Sequence, residues 1–227
     1  MSQNLKKFII AIDGGAATGK SSLSKAISKK LNIAYLDTGS LYRAITLYYI
    51  ENNIEINDEN VLKNLDNIEV SVENVNSENV VYLNGKDVTS KLHENIVSNN
   101  VSLVSKIPEV RKKILNLQRD SAKEKSIVVD GRDIGTVVFP DADVKLFLVA
   151  SLEKRAIRRK EDLKNGNENV DEEKLQKELA KRDEQDSTRK VSPLKKADDA
   201  FEIDTTFTTV DEALEKALEI IRTRIDV

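Results

Sequence analysis

One short motif near the N-terminus constrains the fold of this chain more than any other feature. Residues 14–21 read Gly-Gly-Ala-Ala-Thr-Gly-Lys-Ser and fit the pattern G-x-x-x-x-G-K-[ST] without a mismatch. An apolar run at residues 8–12 precedes the motif, and Leu23, Ile27 and Leu31 then follow helical spacing. Such a strand, loop and helix form a phosphate-binding loop, because backbone N–H groups and the positive end of the helix dipole converge on phosphate oxygens.

Each residue type in this phosphate loop has a chemical reason. The lysine is expected to reach the β- and γ-phosphates of a nucleotide, and the hydroxyl after it to contribute to Mg²⁺ binding. The residues expected to contact the donor nucleotide are Gly14, Gly15, Ala16, Ala17, Thr18, Gly19, Lys20, Ser21 and Ser22. The loop also occurs in GTPase switches and motors, but the switch motifs D-x-x-G and N-K-x-D are absent from the sequence.

Short apolar runs recur along the chain and predict a parallel α/β sheet. They lie at residues 8–12, 33–36, 127–129, 144–149 and 201–203, and helical patterns separate most of them. After the last run, Thr209 and Glu212 have the spacing of a capping box for a final helix. We therefore expect an α/β fold with a doubly wound, five-stranded parallel sheet flanked by helices.

Two segments interrupt this alternation of strands and helices. From residue 66 to residue 88 the apolar positions have the period of two that is typical of strands. Asn84-Gly85 within this segment is typical of a type I′ hairpin turn, so we expect a small antiparallel β insertion. Residues 153–196 are dense in charge, and residues 164–167, Lys-Asn-Gly-Asn, are expected to break them into two helices.

Composition limits the chemistry that a site in this chain can use. The 36 Lys and Arg nearly balance the 39 Asp and Glu, so no global charge attracts the chain to nucleic acid or to a membrane. The chain has no Cys and a single His, His93, which excludes thiolate nucleophiles, Cys-ligated metal sites and sites with two imidazoles. We expect His93 to be a surface imidazole without a catalytic role.

Hydropathy bears on where the chain resides. No apolar run in the 227 residues approaches the roughly 18 to 20 residues that a membrane-spanning helix needs. The residues before the first predicted strand lack the apolar stretch of a signal peptide, so we expect no such leader. A cytoplasmic location is predicted.

Charged residues follow two of the predicted strands directly. Residues 37–43 and 130–135 lie at the carboxyl ends of their strands, where ligands bind in open α/β sheets. Arg43 and Arg132 are therefore expected to converge on the mouth of the phosphate loop. Asp133 lies next to Arg132, and the two could instead form an ordinary ion pair of a surface turn.

Two sets of charged residues in the later segment have helical spacing. Arg182, Asp186 and Arg189 would share one helix face, and so would Arg155, Arg158 and Arg159. Such faces are usually only solvated. With a phosphate loop in the same chain, a basic lid over bound phosphates becomes the favoured interpretation.

In combination, these motifs resemble those of bacterial cytidylate kinases, and the resemblance extends over essentially the whole chain. It rests on Asp13 with the phosphate loop, on Leu-Asp-Thr-Gly-Ser-Leu-Tyr-Arg at residues 36–43, on Val-Asp-Gly-Arg-Asp-Ile-Gly-Thr-Val-Val-Phe-Pro at residues 129–140 and on Arg-Asp-Glu-Gln-Asp at residues 182–186. The resemblance implies transfer of a phosphoryl group from ATP to CMP or dCMP, giving ADP and CDP or dCDP.

The resemblance also implies how the chain is divided. The core phosphate-loop domain would comprise residues 1–60, 105–152 and 191–227. Residues 61–104 would form the insertion that binds the nucleoside monophosphate, and residues 153–190 would form a helical lid. Two residues of the loop depart from the family, since Gly15 stands where it usually has Pro and Thr18 where it usually has Ala or Ser.

The same resemblance implies roles for individual residues. Arg43, Arg132 and Arg189 would hold the CMP phosphate, Ser102, Arg111 and Asp133 would read the cytosine, and Arg182 with Asp186 would bind the sugar. Thr38, Gly39, Tyr42 and Gly131 would complete this CMP site. Tyr42 either stacks on the base or packs beside Leu41, and we favour packing. The arginines of the lid would bind ATP, and the residues expected to be catalytic are Lys20, Arg132, Arg158 and Arg159, with Arg155 as a further ATP contact.

Mg²⁺ is the implied cofactor, with ATP as the phosphoryl donor. Ser21 and, through water, Asp130 are its expected ligands, while Asp13 either competes for this role or only caps the loop. The expected partners are the two small-molecule substrates, without nucleic acid or membrane, and a monomer is the expected oligomeric state. Two alternatives stay open, namely a phosphate-loop kinase for another small acceptor and a regulatory module that holds ATP without fast turnover.

Overall fold

The computed structural model describes residues 7–75, 78–165 and 171–227, without the side chains of residues 164 and 165. Its strands are β1 (Ile9–Gly14), β2 (Ala34–Asp37), β3 (Val70–Val75), β4 (Glu78–Leu83), β5 (Lys86–Asp87), β6 (Ile127–Gly131), β7 (Val144–Val149) and β8 (Phe201–Asp204). Its α-helices are α1 (Lys20–Leu31), α2 (Thr38–Glu51), α3 (Asp58–Asn64), α4 (Asn95–Ser105), α5 (Pro108–Asp120), α6 (Leu152–Asn165), α7 (Glu172–Thr188) and α8 (Val210–Arg222). A π-helical turn, Ile134–Val138, follows β6.

A five-stranded parallel sheet in the order β2-β6-β1-β7-β8 forms the centre of the fold. Ala11 and Val129 pack on one face against α2, α4 and α5, whereas Ile10 and Val128 pack on the other face against α1 and α8. Because helices cover both faces, successive residues of the inner strands β1, β6 and β7 are buried, and these strands read as largely apolar runs. The predicted doubly wound α/β sheet and its five strands are confirmed.

The last helix shows how local sequence fixes an element boundary. The Thr209 hydroxyl accepts the backbone N–H of Glu212, and the Glu212 carboxylate accepts the backbone N–H of Thr209, as the predicted capping box requires. The two bonds satisfy N–H groups that a helix N-terminus otherwise leaves without partners. By contrast, α1 begins after Gly19, which has no side chain to cap the helix, so the N-terminal N–H groups of α1 stay free of side-chain caps.

A separate three-stranded antiparallel sheet, in the order β3-β4-β5, confirms the predicted insertion. Asn84 and Gly85 have φ values of 49° and 77°, the positive values that both central residues of a type I′ turn need. Val70, Val81 and Leu83 are buried in the same core cluster as α2 and α4. The insertion is therefore packed against the core.

The charged segment forms the two helices α6 and α7, which pack on each other through Ala156, Leu163, Leu175 and Leu179. Ala16 of the phosphate loop belongs to the same buried cluster. The predicted break at residues 164–167 overlaps the end of α6, and residues 166 and 167 lie outside the described residues. Within the described ranges, no helix is both long and apolar enough to cross a membrane.

Candidate functional site

A cavity of about 1000 Å³ lies at the carboxyl end of the parallel sheet. The phosphate loop, the ends of β2 and β6, the start of α2 and side chains from α6 and α7 line it. The residues that the sequence predicts to bind substrate or metal lie on this wall, except Gly14, Gly15, Ser102, Arg155 and the alternative metal candidate Asp13. The topology thus brings together segments that lie far apart in the chain.

The phosphate loop contains backbone conformations that constrain its sequence. Gly14, the last residue of β1, packs so closely against β7 that a Cβ atom there would overlap the Leu148 carbonyl oxygen. Gly19 has a φ of 89°, and Ala17 has a φ of 58°, which is uncommon for a residue with a side chain. Left-handed alanine costs about 1–2 kcal/mol, and such strain concentrates at functional sites.

Lys20 is 6% exposed and folds back onto its own loop. Its Nζ atom donates to the Gly15 carbonyl oxygen at 2.6 Å and to the Thr18 hydroxyl at 3.4 Å. Burial, together with the positive charge of Arg132, lowers the pKa of Lys20 to about 7, while Asp130 acts in the opposite direction. Negative charge brought into the cavity would favour the charged ammonium, so Lys20 is suited to an anionic ligand.

Arg155 lies behind the phosphate loop and not on the cavity wall. Its guanidinium donates to the carbonyl oxygens of Ala150 and Ala16 and to the Asp183 carboxylate, at 3.1, 3.2 and 2.6 Å. A Cβ atom at Gly15 would lie 3.0 Å from Asp183 Oδ1 and 3.1 Å from Arg155 Nη1, so glycine leaves room for this pair. Arg155 therefore ties both lid helices to the loop, whereas the sequence led us to expect a contact with ATP.

The two competing carboxylates for the metal have different surroundings. Asp13 is buried, and its two oxygens accept the backbone N–H groups of Ile134 and Gly135 at 2.7 and 2.8 Å. Burial raises the pKa of Asp13 to about 6, and these two hydrogen bonds act against that rise. Asp13 thus fixes the turn after β6 and is not part of the cavity wall.

Asp130 lies on the cavity wall at the carboxyl end of β6. Its Oδ2 atom accepts the hydroxyl of Tyr35 at 2.9 Å. Burial and the charge of Asp37 raise the pKa of Asp130 to about 7, whereas Lys20 and the hydroxyls of Tyr35 and Ser21 lower it. The carboxylate therefore faces the first turn of α1, next to the loop lysine and serine.

An acid–arginine cluster occupies another part of the wall. Its carboxylates belong to Asp133 and Asp186, whose side chains are each 6% exposed. Asp133 pairs with Arg111, and Asp186 accepts from Arg132 Nε at 2.9 Å. Arg189 lies between them, with nitrogens 3.7 Å from an oxygen of each carboxylate. Three guanidinium groups thus share two carboxylates, which leaves an excess of positive charge.

Two further arginines add to this excess. Within the described residues, the Nε atoms of Arg43 and Arg182 are buried without a hydrogen-bond partner. Burial and the charges of Arg132 and Arg43 lower the pKa of Arg182 to about 9. Leaving a buried donor unpaired costs about 1–3 kcal/mol. A ligand with anionic oxygens would satisfy these donors and offset the repulsion between the guanidinium groups.

The lid side of the cavity carries Arg158 and Arg159 of α6. Arg158 donates to the hydroxyl and the carbonyl oxygen of Thr205 after β8, and burial lowers its pKa. The Thr205 hydroxyl in turn donates to the carbonyl oxygen of Thr18 at 2.8 Å. The lid, the end of β8 and the phosphate loop are therefore joined by one chain of hydrogen bonds.

Two predicted CMP contacts have surroundings that the sequence did not indicate. Tyr42 is 7% exposed within the core, and the Arg111 guanidinium lies 5.3 Å from its ring centroid, an arrangement that fits packing. Ser102 is half-buried off the cavity, and α4 lines it with Val101 and Ser105. Those two residues are four positions apart and share a helix face, whereas Ser102 is rotated by about 100° from Val101.

Other residues at the site either match or extend the sequence predictions. His93 is exposed, as predicted, and lies on the cavity wall. Sequence reasoning missed Asp183, the partner of Arg155, although its spacing of three from Asp186 places both on one side of α7. It also missed Tyr35, the partner of Asp130, and Asn79, which reaches the end of β2 from the insertion. A lone hydroxyl within an apolar predicted strand was the available signal for Tyr35, whereas Asn79 ends the polar run 76–79 and gave no such signal.

Known proteins resemble this chain over almost its whole length. The family model for cytidylate kinase matches residues 10–223. A cytidylate kinase from Acholeplasma laidlawii is 43% identical over 215 residues, which cover 95% of each chain. One from Bacillus licheniformis is 47% identical over 219 residues, covering 95% of this chain and 96% of the relative. A solved structure of an uncharacterized protein from Eubacterium ventriosum has a TM-score of 0.53 and 17% identity over 96% of this chain and all of the other, a likeness of fold alone.

Proposed function

Because the chain belongs to the cytidylate kinase family and is an ATP-dependent kinase of CMP or dCMP, we propose how its residues divide that reaction. The observation that carries the proposal is the single cavity that holds both the phosphate loop and the acid–arginine cluster. The loop side binds ATP, and the cluster side binds the acceptor. The reacting phosphates then meet between Lys20 and Arg132, both of which line the cavity.

On the donor side, residues 16–22 of the loop, which include Lys20, bind the ATP phosphates. The backbone N–H groups at the start of α1 contribute because that helix has no side-chain cap. Arg158 and Arg159 supply positive charge from the lid. Gly14 and Gly15 act through the loop's shape, and Arg155 acts through its bond to the Ala16 carbonyl oxygen.

On the acceptor side, Arg43, Arg132 and Arg189 hold the CMP phosphate, and Arg182 with Asp186 binds the sugar. The unpaired Nε atoms of Arg43 and Arg182 support this assignment, since phosphate and sugar oxygens accept from such donors. Asp133 and Arg111, paired at the same end of the cavity, read the cytosine edge. Thr38, Gly39 and Gly131 shape the wall, Tyr42 packs beneath Arg111, and Ser102 stays a prediction.

Charge repulsion is the main obstacle to this reaction. The acceptor is already an anion and needs no general base, but two unit charges 4 Å apart repel by about 4 kcal/mol at an effective dielectric of 20. Lys20 and Arg132 carry positive charge on the wall where such repulsion arises. Arg132 is held by Asp186 before the substrates bind and therefore needs little reorganisation during phosphoryl transfer, whereas Lys20 exchanges its bond to the Gly15 carbonyl oxygen for one to a phosphate.

We also propose Mg²⁺ as the metal cofactor. The described residues contain no group of three or more carboxylates and imidazoles that could hold a metal ion alone. Ser21 and, through water, Asp130 offer hard oxygen donors on the cavity wall, which fits an ion bound mainly by substrate phosphates. When bound, the ion neutralises charge on the β- and γ-phosphates. Asp13 is the weaker candidate because both its oxygens accept backbone N–H groups.

The remaining assignments are proposals of the same kind. Residues 1–60, 105–152 and 191–227 act as the core, residues 61–104 as the acceptor-binding insertion and residues 153–190 as the lid. We expect the protein to act as a monomer in the cytoplasm and to bind nucleotides, without binding nucleic acid. The near balance of 36 basic and 39 acidic residues supports the last point.

Binding of the acceptor tests the assignment of Asp133. Titration calorimetry should give weaker CMP binding to Asp133→Asn, by about tenfold or more, because the variant leaves Arg111 without its buried ionic partner. The preference for CMP over UMP should fall in parallel. Asp141→Asn is the matched control, since Asp141 is exposed. An unchanged preference for CMP in Asp133→Asn would refute the assignment of the cytosine edge to Asp133.

A further inference from the structure

The outer edge of the parallel sheet is covered by side chains and not by another strand. β2 is the terminal strand of the five-stranded sheet, and among the described residues no strand of that sheet neighbours the backbone groups on its outer side. Such an edge normally needs partners for its N–H and C=O groups. At its carboxyl end these partners come from the insertion.

Asn79 of β4 supplies the partners on this edge. Its Oδ1 atom accepts the backbone N–H of Asp37 at 2.6 Å, and its Nδ2 atom donates to the carbonyl oxygen of Tyr35 at 2.7 Å. One side-chain amide thus bonds to the edge as a peptide group of an adjacent strand would. Asn74, the register partner of Asn79 on β3, also donates to the Tyr35 carbonyl oxygen, at 2.8 Å.

The backbone that Asn79 holds leads directly into the proposed acceptor site. Asp37 caps the N-terminus of α2 by accepting the backbone N–H of Ser40 at 3.3 Å. Arg43 lies one turn further along that helix. On the other side of the held segment, the Tyr35 hydroxyl donates to Asp130 at 2.9 Å. The amide of Asn79 is therefore bonded to the peptide groups that lead directly into the turn carrying Arg43.

We propose that Asn79 is a positioning residue for the acceptor, the group through which the insertion sets the turn from Asp37 to Arg43 relative to the phosphate loop. This inference rests on the proposed binding of the CMP phosphate by Arg43. Glu78 beside it pairs with Lys25 of α1, but these side chains are 61% and 43% exposed. An exposed ion pair contributes little, so positioning falls to the amide.

The test compares Asn79→Leu, which keeps the size but removes both hydrogen bonds, with Glu78→Gln as the matched control. Steady-state kinetics of Asn79→Leu should show a KM for CMP raised about tenfold or more, with the KM for ATP within about twofold of wild type. Glu78→Gln should leave both values unchanged. Asn79→Gln, with the same amide on a longer side chain, should recover part of the loss.

Each outcome of this experiment decides the inference. Asn79→Leu with the same KM for CMP as Glu78→Gln overturns it, and so does an equal rise in KM for both substrates. If Asn79→Leu does not fold, the same kinetics are measured on Asn79→Asp, which retains an oxygen that accepts the Asp37 N–H group but loses the donor to Tyr35. It is expected to show the same selective rise in KM for CMP, and parallel changes for both substrates would again overturn the inference. Wild-type protein that does not phosphorylate CMP would instead refute the proposed function.

Discussion

Replacing Arg132 by Met tests how much fixed positive charge contributes to phosphoryl transfer. Arg132 lines the cavity, and its Nε atom is held 2.9 Å from Asp186 Oδ2. A guanidinium about 4 Å from one phosphate charge contributes about 4 kcal/mol at an effective dielectric of 20. Since each 1.36 kcal/mol or so is a tenfold change in rate, Arg132→Met is expected to lower kcat by about a thousandfold.

The assay must separate catalysis from folding. In Arg132→Met, Asp186 stays buried and keeps the ion pair with Arg189 at 3.7 Å. Because breaking a buried pair costs about 3–5 kcal/mol, the variant is expected to be less stable than the wild type. Rapid-quench measurements at saturating ATP and CMP, on protein whose folded fraction is measured by circular dichroism, give the rate of the chemical step. Arg222→Met is the control, because Arg222 is exposed at the end of α8.

Two results would bear on the reasoning. A folded Arg132→Met protein with a rate at least a hundredfold below that of Arg222→Met agrees with a cation acting on the transferred phosphoryl group. A rate within tenfold of that of Arg222→Met would refute this role, because the loss of the Arg132 charge would then have far less than the expected effect on phosphoryl transfer.

Three other predictions concern the loop, the metal and pH. Asp183→Asn removes the ionic partner of Arg155, so the KM for ATP should rise about tenfold with the KM for CMP unchanged, and steady-state kinetics that show equal changes would contradict this. Asp130→Asn should raise the Mg²⁺ concentration needed for half-maximal rate, whereas Asp13→Asn should lower thermal stability; a metal titration and a melting curve for each variant distinguish the two carboxylates. With the pKa of Lys20 lowered to about 7 by burial and by Arg132, Lys20 is mostly uncharged at pH 8, and bound phosphates should restore its charge. Calorimetry in buffers of different ionisation enthalpy should then show net proton uptake on ATP binding, which Lys20→Ala abolishes; uptake that persists in Lys20→Ala would exclude this lysine as its source.

The parts of the fold that local sequence determines were predicted correctly. The inner strands β1, β6 and β7 are buried at nearly every position and therefore appear as largely apolar runs, whereas the edge strand β8 buries Ile203 and exposes Glu202 and Asp204. Asn84-Gly85 forms the predicted turn because both residues adopt positive φ, and Thr209 with Glu212 forms the predicted cap. In each case the cause lies within a few residues of its effect.

The direction of individual side chains depends on distant partners and was harder to predict. Helical spacing puts Arg155, Arg158 and Arg159 in one group, yet Arg155 turns to Asp183 and Ala16, 28 and 139 residues away. Asn79 lies 42 residues from Asp37, to which it bonds. No local pattern encodes such contacts, since they depend on how the lid and the insertion pack against the core.

The acceptor profile of the purified protein tests the central claim most directly. ADP release, coupled to a spectroscopic assay, would be compared for CMP, dCMP, UMP, AMP and dTMP at equal concentrations with saturating ATP and Mg²⁺. We predict fast turnover with CMP and dCMP and much slower turnover with the other three, because the buried pair of Asp133 and Arg111 can satisfy the cytosine edge. Equal rates with UMP or AMP would contradict the account.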